Sequence, residues 1–489
     1  MAPHLFLIFL SFSSFHHSTA SSFKPSCTLP PPDTNFVSGP GTRGTISILW
    51  NCISIFILCT WTIQRLNIPA ARRDAGWVHK IWWAILDSRT KISWMLFTIF
   101  IPEFILGKAL GEREATKRPW PGMRDHAKKA GDDAQEWTSG HARMANMGYF
   151  ALDFSDFPES DWKELHKSAR EVAKLPLYSE RSTRINMARL RHRCWALTEH
   201  QWDIVLDKHL ADYPDVRLSH LADLNKSDVI ARVLAVIQVV YLAIQLLARK
   251  VYGLASAQIE IAALAFAATS FVTYILFWDQ PDGVRSRRVV KAKKLPTADQ
   301  VGVISLWGPT YLWSGFRRRA RIDGELDLVP IPNDGSNVSR NGMWEMPQSI
   351  RGYFGNQGSQ VLYLILGALF AGTLFGGIHC LAWNFDFPTH IEQILWRVCS
   401  VLTAALPVLA SPLLALWIPA RGRDGTLTGY LATGTIRRIE IACLVCLAIL
   451  LVGYILARGF LLVEMFRTLF FLPPDAFTET WSASFPHWG

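Results

Sequence analysis

The chain has 489 residues with Lys+Arg 50 against Asp+Glu 40, a net charge of +10, and 18% charged against 50% hydrophobic residues. Soluble domains carry about 25% charged residues and disordered chains few aromatics, so 12% aromatic residues with 20 Trp exclude disorder for most of the length. A mean hydropathy of +0.17 over this length implies several bilayer spans diluted by polar loops. The expected fold is an all-α, polytopic transmembrane helix bundle with a helical polar loop region.

Residues 1–20 open with an apolar stretch from Leu5 to Phe15, followed by the small residues Ser18, Thr19 and Ala20. That order is the order of a secretory signal, although no Lys or Arg precedes the apolar stretch. A cleaved signal and an uncleaved anchor both remain open. Each sends the chain into the membranes of the secretory pathway, first the endoplasmic reticulum. Residues 21–44 are rich in Pro and Gly and read as an irregular lumenal lead-in.

Apolar runs long enough to cross a bilayer, about 20 residues each, lie near 45–66, 229–248, 257–278, 359–383, 393–418 and 439–463. A seventh run, 92–107, is shorter and is interrupted by Pro102 and Glu103. The connections RLNIPAARRDAGWVHK, VRSRRVVKAKK and ARGRDGTLTGYLATGTIRR are the strongly basic ones. Placing them in the cytosol gives a lumenal N-terminus, six crossings and a lumenal C-terminus. The 92–107 segment then enters the bilayer without crossing it, and a seven-span count is the rival.

This division gives the first span and the half-inserted segment to 45–107 and a polar helical region to 108–228. Two spans follow in 229–278, a basic connection in 279–358, three spans in 359–472 and a lumenal tail in 473–489. The basic runs RSRRVVKAKK and FRRRAR (316–321) suit a face resting on anionic lipid. No nucleic-acid-binding motif accompanies the charge, so nucleic acid is not an expected partner. The sequons at Asn225 and Asn337 fall in the cytosol and should stay unmodified.

Eight Cys in this length do not make a disulfide scaffold. Cys443 and Cys446 have a metal-like spacing but sit in an apolar run with no second Cys or His pair beside them. Cys27 and Cys380 are the two that would face an oxidising lumen, where they can pair. The chain has no GxxxxGK[ST] loop, no H-E-x-x-H and no DDxxD; Asp132-Asp133 is followed by Ala-Gln-Glu. No metal and no cofactor is expected.

Ionisable side chains at membrane depth are costly and mark candidate sites. Glu464 lies between Arg458 and Arg467 in a strongly apolar stretch. Its three-residue spacing to Arg467 predicts an ion pair on one helix face, with a catalytic or substrate-orienting role as the other reading. Glu260 starts its span, where an interface role and a substrate-binding role both fit. Glu103 follows Pro102 in the broken segment and is a candidate general acid, with a membrane-boundary residue as the plain alternative. His379, Trp383, Asn384 and Asp386 end a span, and the i,i+4 pair His379 and Trp383 should face one way on a helix. An interfacial Trp belt with a satisfied His is the alternative there.

Six stretches carry a resemblance: CTWTIQRLNIP (59–69), IPEFILGKAL (101–110), GHARMANMGYF (140–150), QIEIAALAFAATSFVTYILFWDQP (258–281), GGIHCLAWNFDFP (376–388) and LARGFLLVEMFRTLFFLPP (456–474). Their order resembles a large fungal family of integral membrane proteins, over most of the chain from about residue 40 onward. Where that family reads Met-Gly-Gly, this chain has Met147-Gly148-Tyr149. Similar membrane proteins belong to fungal meroterpenoid pathways, and some are terpene cyclases. The resemblance implies protonation-initiated cyclisation of a prenylated small molecule, epoxidised or not, collected from the lipid bilayer. Glu103 or Glu464 would then be the acid, with Glu260, Arg458, Arg467, His379, Trp383 and Asp386 on the substrate. Such chemistry needs one proton donor, aromatic faces worth about 0.5–2 kcal/mol each toward a cation, and exclusion of water. Twenty Trp and 28 Phe supply rings. The contrasting expectation is a non-enzymatic membrane protein, a carrier, receptor-like protein or scaffold, whose buried charges serve folding or transport.

Overall fold

The computed structural model describes residues 41–69, 77–131, 134–178, 181–223, 229–284, 286–311, 328–336, 359–421 and 432–481. The signal-like segment, Cys27, both sequons and FRRRAR lie outside the described residues. The fold is all-α, with six helices long and apolar enough to cross a membrane. They belong to α1 (Thr45–Thr62), α10 (Val229–Val251), α11 (Gln258–Leu276), α13 (Ser359–His379), α14 (His390–Arg421) and α15 (Ala432–Arg467).

The interrupted run at 92–107 falls on two further helices, α2 (Trp77–Phe100) and α3 (Pro102–Lys117), bent by 109°. Pro102 causes the break. It has no N–H to give the helix, and it drives Ile101 out of helical geometry, to φ −137° and ψ 67°. The freed groups are cared for by protein. Arg458 on α15 donates from Nη2 to Ile99 O at 3.2 Å and from Nε to Phe100 O at 3.4 Å. Broken backbone is tolerated at membrane depth only where protein satisfies it.

Close packing needs small residues. α3 meets α13 where Gly107 and Gly367 touch by their backbones. A Cβ on Gly107 would stand 2.5 Å from Leu364 O, and one on Gly367 2.8 Å from Gly107 Cα. Without a strong hydrophobic drive between helices in lipid, such contact is what holds them together. The Ala-rich α11 is the most enclosed span, with Phe266 edge-on to Phe56 and Phe375 at 5.1 and 5.0 Å.

The polar part holds α4 (Pro121–Lys129), α5 (Ser139–Asn146), α6 (Glu159–Val172), α7 (Arg181–Arg189), α8 (Glu199–Asp207), α9 (Leu218–Asp223) and α12 (Ala298–Leu306). It also contains a small sheet that the helical periodicity did not announce. β1 (Phe150–Asp153) pairs antiparallel with β2 (Cys194–Ala196) and parallel with β3 (Arg288–Lys291), and β2 pairs parallel with β5 (Leu328–Val329). A two-stranded ladder joins β4 (Thr310–Tyr311) to β6 (Gly335–Ser336). The strands of 108–228 and of 279–358 thus complete one sheet, although two spans separate them in sequence. Val301 and Ile304 enter the same core as Trp137, Phe150, Trp195 and Trp202.

Candidate functional site

Glu103 stands in the first turn of α3, directly after the break, and is buried. Neither of its carboxyl oxygens has a hydrogen-bond partner. A Cβ at Gly372 of α13 would lie 3.5 Å from Glu103 Cγ and 2.7 Å from Pro407 of α14, so α13 packs closely on both. From α15 the Tyr454 hydroxyl reaches toward the Glu103 carboxyl, close enough to interact with it although the pair lacks good hydrogen-bond geometry, and Arg458 lies within electrostatic reach. A buried polar atom left unmatched costs about 1–3 kcal/mol. A buried carboxyl with no cation paired to it at a helix break is therefore expensive to keep.

Arg458 completes the group. Its guanidinium lies 3.8 Å from the Phe375 ring centroid and 5.8 Å from that of Phe266, while it caps the end of α2. His379 stacks on Phe375 at 4.6 Å, and its Nδ1 is 2.8 Å from Phe375 O. The structure therefore gathers Glu103, Arg458 and His379 around one face of α13. Tyr454, Phe375 and Gly372 were not among the sequence candidates. The four-residue spacing of Tyr454 and Arg458 inside an apolar run was the available signal.

The other candidates lie elsewhere. The expected Glu464–Arg467 pair does not form: Arg467 Nη1 pairs with Glu392 of α14, and Glu464 Oε1 has no hydrogen-bond partner. Residues three apart differ by about 60° around a helix. That turn buries Glu464 and leaves the Arg467 side chain 46% exposed. His379 and Trp383 do not share a face either. The chain tightens to a 3-10 turn over Cys380–Ala382. Four residues of tighter helix rotate by about 120° instead of about 40°, so His379 is buried while Trp383 is exposed under Arg397. Asp386 is exposed, and its main-chain oxygen accepts from Gln258 Nε2 at 2.7 Å.

Glu260 is fully occupied by the fold. It accepts from Arg43 Nη1 at 2.5 Å and Nη2 at 3.1 Å, and from the Ala257 N–H at 2.8 Å. Arg43 Nε also reaches Ala476 O at 2.8 Å, tying the C-terminal segment to the start of α11. Cys380 is a free thiol. Cys443 is buried and Cys446 exposed.

A second set of buried titratable groups lies in the polar part. Glu199 Oε1 accepts from the Trp120 N–H and from Trp137 Nε1, both at 2.8 Å, and burial pushes its carboxyl up to about 7. His200, packed 4.5 Å from the Trp120 ring, is held down at about 4 by burial. The two shifts act on stability with opposite sign. From pH 4.5, the ordinary value for Glu199, to about 7, the unfolded chain loses a proton that the folded chain keeps, so stability falls as pH rises. From about pH 4 to 6.5 the unfolded chain holds a His200 proton that the folded chain lacks, so stability rises with pH. We expect urea unfolding of wild type minus that of Glu199→Gln to fall by about 3 kcal/mol across the first window. The same difference against His200→Gln should rise by a similar amount across the second. Flat difference curves would mean that neither group is held as described.

A shallow apolar groove of about 360 Å³ runs along the outer face of α13, lined by Phe370, Thr373, Leu374, Gly377, Ile378 and Leu381. Its residues face away from Gly372 and Phe375, which point toward Glu103 and Arg458 on the other side of α13. Among the described residues no cluster of three or more His, Cys, Asp or Glu is arranged to hold a metal ion.

No curated protein and no solved structure is significantly similar to the chain. Residues 11–120, 192–306 and 359–488 match a family of unknown function, DUF8562. These segments take in the break, Glu103 and the α13 to α15 spans, and together they cover more than half of the chain. The chain belongs to the DUF8562 family.

Proposed function

We propose that the chain is a membrane-embedded acid catalyst that cyclises a prenylated small molecule by protonation, with Glu103 as the proton donor. One observation carries the reading: a buried carboxyl directly after a proline break that makes no ion pair among the described residues and has the Tyr454 hydroxyl beside it. Glu260, by contrast, is paired with Arg43. In its acid form Glu103 offers one O–H donor. Transfer of that proton to an olefin or epoxide leaves a carbocation, which closes the ring. Loss of a proton from the final cation to the carboxylate restores Glu103, so the reaction is an isomerisation and needs no oxidant, reductant or metal. The resemblance to membrane proteins of fungal meroterpenoid pathways supports this substrate class, and the signal-like N-terminus supports the endoplasmic reticulum as its membrane.

Microsomes carrying the chain should convert a prenylated aromatic, or its terminal epoxide, to a ring-closed product of unchanged mass. In deuterated water the product should gain one deuteron from exchanged Glu103. A carrier is the second reading, favoured by the 109° break, since transporters bind substrate at discontinuous helices. Substrate crossing the vesicle membrane unchanged, with the proton gradient discharged as it moves, would establish the carrier and end the cyclase.

A further inference from the structure

Among the described residues, the first half of α2 has no protein partner on one side. Trp77, Val78, Ile81, Trp82 and Ile85 are each more than half exposed, while Trp83 turns inward and is buried. The exposed residues recur at three- and four-residue steps, so they form one stripe. The stripe continues as Ile92, Leu96 and Phe100, also exposed, in the part that leads into the bundle. A contiguous exposed apolar stripe of this kind marks an interaction surface.

The bend fixes what covers it. α3 packs along the spanning helix α13, and α2 turns from the α3 direction by 109°. If α3 follows the bilayer normal, α2 lies about 19° from the membrane plane and sinks by only about 12 Å over its length of about 36 Å. That is the attitude of an interfacial helix, whose apolar face is buried about 5–10 Å into the boundary between headgroups and acyl chains. Charge agrees. Trp77–Lys91 carries Lys80, Arg89 and Lys91 against Asp87 alone. Lys91 is anchored at 2.9 Å to Asp282, which also meets Arg65 at 3.3 Å just beyond the end of α1. The anchor holds the helix level with the ends of the neighbouring spans.

We propose that α2 is an in-plane membrane anchor whose Trp77–Ile85 stripe is seated in the lipid boundary of the basic, cytosolic face, with anionic phospholipid headgroups beside Arg89. The partner is lipid, not a second copy of the chain. The inference does not depend on the reading of Glu103.

The test is photo-crosslinking in the full-length protein, with p-benzoylphenylalanine placed at Ile85 and, separately, at Ile81. The protein is held in nanodiscs of equal parts phosphatidylcholine and phosphatidylserine. Irradiation should give phospholipid adducts at both positions, with phosphatidylserine in excess. The Arg89→Gln change should keep the adducts and reduce that excess by up to about fivefold, the weight of one basic side chain at an anionic surface. A crosslinked dimer, an adduct to another part of the same chain, or no adduct at either position would overturn the proposal. Adducts that merely mirror the lipid mixture would overturn the headgroup assignment.

Discussion

Replacing Glu103 with Met should make the protein more stable and abolish its activity. Core substitutions usually destabilise by about 0.5–3 kcal/mol, so the expected sign is the reverse of the common one. The reason lies in the unpaired carboxyl. Glu103 is buried against Gly372 with the Tyr454 hydroxyl beside it, and neither carboxyl oxygen has a well-formed hydrogen bond or an ion pair among the described residues. Met has a similar shape and no polar atom to satisfy, so the change removes a penalty of about 1–3 kcal/mol without opening a cavity. Thermal unfolding in detergent should shift upward. Product formation should fall by at least about a hundredfold, the lower bound of what a positioned general acid contributes. Glu103→Gln separates shape from proton: it should fold like wild type and be equally inactive. A Met variant that is less stable yet still active would show that Glu103 belongs to the fold, and the catalytic proposal would fail.

The six spans were legible because each is an uninterrupted apolar run, and the break at 101–102 because proline leaves a mark in sequence. Glu103 was legible for the same reason, as a carboxyl beside that proline. What surrounds Glu103 was not. Tyr454 and Gly372 stand hundreds of residues away, and nothing local says that α13 and α15 meet at the break. The Glu464–Arg467 expectation used only helical spacing, which cannot register that Glu392 on another helix offers Arg467 a partner. The sheet escaped because β1 has four residues and β2 three, too few for an alternating pattern to emerge. Its parallel partner β3 also lies beyond two membrane spans.

The two acids at helix starts, Glu103 and Glu260, look alike in sequence and differ in the structure, and that difference yields the second large expected effect. Arg43→Met should destabilise the protein by about 3–5 kcal/mol, because it strands a buried carboxylate. Glu260 is 2% and Arg43 6% exposed, so little water reaches either charge. Adding Glu260→Gln should recover most of that loss. Gln keeps an acceptor for the Ala257 N–H and carries no charge to leave unpaired. About 1 kcal/mol should stay lost, for the Arg43 Nε bond to Ala476 O that Met cannot make. The measurement is a double-mutant cycle on thermal stability, with product formation followed in parallel. The double variant should remain active, since these side chains hold the C-terminal segment against α11 and take no part in proton transfer. A well-folded but inactive double variant would instead draw Glu260 into the substrate site and remove the distinction between the paired and the unpaired acid on which the assignment of Glu103 rests.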